Sequence, residues 1–180
     1  MLFRSLWVCS IKEGGNPFTV EQTGLYYFIF DVPTKKAHLM RIEKWAFIGS
    51  ATGWKDSDMT QKSLSKDKGE WEVTGVKMSS TDKFKFRFNG DWTYEFNAGD
   101  KKAFLNVGGN IGALTSGGSD ITNAVNGEYK INLKWDYING YTATVTKTGD
   151  YNPPTFPDSF CILHLLDRKS TRLNSSHGKL

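Results

Sequence analysis

Two tryptophans on tight turns, with a row of polar side chains between them in sequence, are the residues of this chain best suited to binding chemistry. Trp54 follows Gly53 at the tip of a Gly-rich loop, and Trp92 follows the turn Asn89-Gly90-Asp91. Lys85, Arg87 and Asn89 alternate with Phe84, Phe86 and Phe88 along one short segment. A sugar ring has an apolar C–H face and a polar rim, so its site needs an exposed aromatic plate with donors and acceptors alongside. Trp54 and Trp92 can supply the plates. Lys85 and Arg87 can donate to hydroxyls, and the Asn89 amide can both donate and accept. The plainer alternative is that each Trp caps a core and the cations coat a solvated strand face. That alternative fits Lys85 better than Arg87 or Asn89.

Catalytic chemistry has less to stand on. Asp56 with Asp58, and Asp91 with Glu95, are the nearest approaches to paired carboxylates, and both pairs lie in polar segments with no apolar pocket to raise a pKa. Ser and His residues never take up a nucleophile pattern. No phosphate-binding loop is present, and His38, His164 and His177 are scattered away from Cys9 and Cys161. The expectation is a non-enzymatic protein with no cofactor and no metal.

The candidate residues must be carried by strands. Residues 83–89 alternate with period two, placing three Phe rings on one face and Lys85 and Arg87 on the other. Residues 45–48 read as a first strand, 59–64 as a weaker second, and 70–77 with 83–89 as a hairpin across 79–82. Residues 97–120, rich in Gly, Asn and Ser, read as a long irregular connection. Residues 128–135 and 141–147 read as a closing hairpin. Trp45, Trp71 and Trp135 fall inside strands and are expected in the core. With 12 Phe, 7 Tyr, 6 Trp and 18 Gly in 180 residues, many short strands and Gly-rich turns point to an all-β, immunoglobulin-like antiparallel β-sandwich.

The net charge of +4 is concentrated at one end, since residues 167–180 hold Arg168, Lys169, Arg172 and Lys179 against Asp167. The rest of the chain has no basic stripe, which argues against a nucleic-acid partner. No segment is long and apolar enough for a membrane helix.

Two segments repeat. Gly14-Gly15-Asn16 through Thr23-Gly24 and the following LYYFIFDV align with Gly117-Gly118-Ser119 through Asn126-Gly127 and EYKINLKW. The same offset of 103 places residues 38–42 on 141–145. A period of that length suits tandem sandwich modules. Residues 1–43 then form the C-terminal part of one module, and 44–148 a complete module. Residues 149–166 contain a Pro-rich linker and the possible start of another. The stretch DRKSTRLNSSH within 167–180 looks like the translation of a common sequencing adapter and is set aside as non-native.

The order of residues 45–49, Gly53-Trp54, Phe84-Lys85-Phe86-Arg87, Trp92, a Gly-Gly loop and a closing hairpin resembles the SusE/SusF family. Those proteins are outer-membrane lipoproteins built from tandem immunoglobulin-like, starch-binding modules. The resemblance covers residues 45–148, and 14–43 as a partial module. It implies non-catalytic binding of a polysaccharide or oligosaccharide, with a starch-like α-glucan as the leading candidate, through Trp54, Lys85, Arg87, Asn89 and Trp92. It also implies display at the outer membrane beside a glycan importer, with membrane attachment only through a lipid anchor that this fragment lacks. The runner-up is an adhesin-like or scaffold sandwich whose surface binds protein. A glycoside hydrolase is the third reading.

Overall fold

A computed structural model describes residues 6–17, 19–20, 22–97, 100–102 and 105–154. The expected module start at 160–163 and the tail at 167–180 lie outside the described residues.

Strands β1 (Leu6–Ser10), β2 (Tyr26–Asp31) and β3 (Lys36–Arg41) form a three-stranded sheet in the order β1-β3-β2. Strands β2 and β3 are the hairpin expected from the first repeat, paired from Tyr26↔Arg41 to Asp31↔Lys36. The chain then enters a larger array made of β4 (Trp45–Gly49), β5 (Ser57–Asp58), β6 (Thr60–Leu64), β7 (Lys68–Met78) and β8 (Lys83–Phe88), with further strands downstream. A small separate ladder joins β9 (Tyr94–Asn97) to β10 (Asp100–Lys102). The array is completed by β11 (Asn106–Asn110), β12 (Ala113–Ser116), β13 (Ile121–Thr122), β14 (Gly127–Asp136) and β15 (Gly140–Gly149).

Its strand order is β5-β4-β8-β11-β12-β15-β14-β7-β6, with β13 beside β8. Its described strands all pair antiparallel. The ladder passes from one layer to the other where Leu114 meets Tyr141. The result is the expected all-β, immunoglobulin-like sandwich, with one edge linked almost as in a barrel.

The core explains the layers. Trp45, Phe47, Phe84, Phe86 and Phe88 face inward from β4 and β8 and are fully buried. Trp71 on β7, Ile131 and Leu133 on β14 and half-buried Tyr141 on β15 face them from the other layer. The Trp45 ring lies 5.1 Å from both Phe88 and Tyr141 and 6.0 Å from Trp71, so one side chain stitches both sheets together. Trp135 is partly buried against the same cluster, so all three strand tryptophans are in or against the core.

Two expected elements differ. Strands β7 and β8 do not pair with each other. β7 lies between β14 and β6, and β8 lies between β4 on one side and β11 and β13 on the other. The turn at 79–82 therefore carries the chain between layers. An extra residue in β7 opposite Tyr129 and Ile131 forms a bulge at Gly75, whose φ of 72° suits glycine. The second difference is at 97–120, where β10, β11 and β12 replace the irregular connection. Leu105, Val107 and Leu114 are buried there, and their packing outweighs the poor strand propensity of the glycines around them.

Glycine at β11 has a steric reason. A Cβ at Gly108 would lie 2.4 Å from the Ser119 carbonyl, and one at Gly118 would lie 2.5 Å from the Gly108 carbonyl. The 117–120 loop thus crosses directly over β11. Gly49, at the end of β4, is equally confined, with a Cβ 2.4 Å from the Lys83 carbonyl and 2.8 Å from Phe84 Cβ. Gly49→Ala is expected to destabilise by about 1–3 kcal/mol through overpacking, read as a lower urea midpoint with an unchanged slope.

Candidate functional site

Strand β8 positions the site. Its outward face carries Lys85 and Arg87, half-buried, while its Phe residues fill the core. Strand β4 is its antiparallel neighbour, from Trp45↔Phe88 to Gly49↔Phe84. After Gly49 the chain makes a single 3-10 turn at Ser50–Thr52 and then returns, so that β5 pairs with the far edge of β4 at Ala46 and Phe47. That return draws Trp54 back over the sheet. The loop of Trp54 and the turn of Trp92 leave opposite ends of adjacent strands, yet their rings come within 6.5 Å, tilted by 56°.

The loop that bears Trp54 is tightly tied. Gly53 donates its N–H to the Ser50 carbonyl at 2.9 Å, and Trp54 donates to the Gly49 carbonyl at 2.8 Å. The Thr52 hydroxyl donates to the Lys55 carbonyl at 2.7 Å. At the loop's root, the Ser50 hydroxyl donates to Asp82 Oδ1 at 2.6 Å and accepts the Lys83 N–H at 3.0 Å. Burial works to raise the Asp82 pKa, but the hydrogen bonds from Ser50 and Ser79 more than offset it and hold the carboxyl below its usual range. Its stabilising contribution is therefore present above the ordinary carboxylate range and is lost as pH falls through the depressed value.

Gly53 and Trp54 both adopt left-handed backbone, with φ of 60° and 59°. For a residue as bulky as Trp this conformation costs about 1–2 kcal/mol. It leaves the indole 43% exposed at the loop tip.

Arg87 packs against one of the two rings. Its guanidinium carbon lies 4.9 Å from the centroid of the half-buried Trp92 ring, within cation–π range. Its Nε donates to Asp56 Oδ1 at 2.6 Å, with both side chains mostly buried. Lys85 Nζ lies 3.5 Å from Asp120 Oδ1, carried there by the 117–120 loop. Among the described residues no group of three metal-ligating side chains comes together.

Asn89 occupies a different place from the one a sugar-binding role requires. Its Nδ2 donates to the Arg41 carbonyl at 2.9 Å, and its Oδ1 accepts the Glu43 N–H at 2.8 Å. Both ends of the amide are thus spent on the chain that leaves β3. Asn89 and Gly90 are consecutive left-handed residues, with φ of 56° and 82°, a pairing that Asn-Gly favours. Around this clamp, Tyr27 stacks on Phe88 at 6.0 Å, and His38 Nδ1 meets the Tyr94 hydroxyl at 2.8 Å. Burial lowers the His38 pKa and raises that of Tyr94. Met40 and Ile42 join the core of the larger array.

Compared with known proteins, the chain matches no family model, no curated protein and no solved structure.

Of the five residues expected from sequence, the structure brings Trp54, Arg87 and Trp92 into one cluster. Lys85 lies one position along on the same strand face, and Asn89 turns to the joint with β3. Asp56 and Asp120 were missed as site residues. Their only signal in the sequence was negative charge in loops, and neither contact follows from local spacing. Asn89→Gly should destabilise by about 1–2 kcal/mol through loss of two hydrogen bonds. Asn89→Ala should cost more, because alanine must also hold a left-handed φ. Denaturant melts of the pair separate the two causes.

Proposed function

We propose that this chain is a non-catalytic glycan-binding protein whose platform is Trp54 and Trp92. The observation that supports this reading is the convergence of the two indoles beside Arg87, although their loops leave opposite ends of β4 and β8. A sugar's C–H face can stack on the exposed Trp54 ring and on the open part of the half-buried Trp92 ring, and the Arg87 guanidinium beside Trp92 is placed to hold hydroxyls on the sugar rim. The tilt of 56° between the rings favours a curved glycan over a flat ribbon. An α-linked, starch-like glucan is therefore the first ligand to test. The proposed setting follows from the resemblance to the SusE/SusF proteins: the outer surface of the outer membrane, beside a glycan importer, with attachment through a lipid anchor.

Calorimetric titration with maltoheptaose and a panel of other oligosaccharides tests the reading. One site of this size should bind with a Kd of roughly 1 μM to 1 mM. Absence of heat with every glycan, at protein concentrations able to register the weak end of that range, would refute it.

A further inference from the structure

Resting on that reading, we infer that the site selects neutral glycans and turns away uronic-acid polymers, and that Asp56 is the residue responsible. A strand face carrying Lys85 and Arg87 looks, in sequence, like an attraction for acidic sugars. The fold cancels both charges. Asp56 is brought against Arg87 by the return of the Trp54 loop, and Asp120 against Lys85 by the loop that crosses Gly108. Lys85 and Arg87 each have their own carboxylate, delivered by a different segment, while Lys83 stands exposed at the start of the same strand face.

The Arg87–Asp56 contact also leaves a matched pair of unused groups. Arg87 engages through Nε alone, and its two terminal nitrogens have no partner among the described residues. Asp56 uses Oδ1, while its Oδ2 faces the Asn89-Gly90 turn, 3.6 Å from where a Gly90 Cβ would stand, and also has no partner among the described residues. A donor and an acceptor side by side suit two hydroxyls on neighbouring ring carbons. One hydroxyl donates to Asp56, and the next accepts from Arg87. A sugar carboxylate in that position can accept from Arg87 but meets the Asp56 charge, and it has no proton to give.

The test uses matched neutral oligosaccharides and their C6-oxidised uronate forms, in α-glucan, β-glucan and galactan series. Binding is measured at about 0.01 M and about 1 M ionic strength, where the screening length falls from roughly 30 Å to 3 Å. The full chain should bind the neutral member of its preferred series about tenfold more tightly than the uronate at low salt, and high salt should narrow the gap. Asp56→Asn removes the charge but keeps an acceptor. It should weaken neutral binding several-fold and bring the uronate level with it or ahead. Should Asp56→Asn unfold, the salt dependence of the unaltered chain still decides. Equal binding of both members at low salt, or a gap that neither salt nor Asp56→Asn alters, overturns the assignment of Asp56 and leaves the platform standing. Binding of no member of any series overturns both.

Discussion

Replacing Trp45 with alanine will lower the free energy of unfolding by roughly 3–5 kcal/mol. The indole is fully buried and is the one ring in edge or tilted contact with Phe88 from its own layer and with Trp71 and Tyr141 from the other. Removing it opens a cavity that rigid aromatic neighbours cannot close. A urea titration followed by tryptophan fluorescence checks the size of the effect. Glycan binding at temperatures where the variant is still folded should survive, because Trp45 points away from the outward face of β8. A loss below about 1 kcal/mol would mean that the layers are held together elsewhere.

Trp92→Ala will remove detectable glycan binding while leaving unfolding cooperative and its midpoint nearly unchanged. The ring stands on a turn, half-buried, with Arg87 packed on its face. Its loss removes a stacking surface and frees the guanidinium from its cation–π position, so the donor loses orientation along with the plate. A stacked ring contributes on the order of 1 kcal/mol beyond its burial, and a weak site has little affinity to spare. Isothermal titration beside a thermal melt separates the two roles. Binding equal to that of the unaltered chain would show that the platform lies elsewhere. Unfolding as severe as that of Trp45→Ala would make Trp92 a core residue.

The legible part of this fold was local. The alternation of Phe84, Phe86 and Phe88 with charged residues gave both the strand and its two faces, because period two needs no knowledge of partners. The closing hairpin at 127–149 was equally plain, with Asp136 and Gly140 marking its turn. Pairing was harder. Residues 70–77 and 83–89 are strands joined by a short turn, which is also how a hairpin reads. The different partners of β7 and β8, with Trp71 packed opposite Trp45, show that the chain changes layers between them. Strand β11 was hidden because Gly108 leaves room for the 117–120 loop to cross, while Gly109, at a φ of 95°, donates its N–H to the Ser119 carbonyl, demands that come from residues about ten positions away.

The site divided in the same manner. Trp54 and Trp92 were visible as aromatic residues beside glycine and turn signals. Asp56 meets Arg87 only because β5 returns along β4, and the Asn89 amide is taken up by residues 41–43, which precede it by nearly half the module. Both are consequences of topology, which no short window of sequence contains.

Trp54 has its backbone held in place before any ligand arrives. Its left-handed backbone is fixed by the Gly49 carbonyl, and its loop is anchored at both ends by Thr52, Ser50 and Asp82. The conformational entropy of ordering the loop is therefore lost during folding and not at association, where an unheld aromatic side chain would lose about 0.5–1.5 kcal/mol. A ligand that stacks there meets a finished surface. Its association rate should be indifferent to loop motion, and differences in affinity among glycans should appear almost wholly in how fast each one leaves.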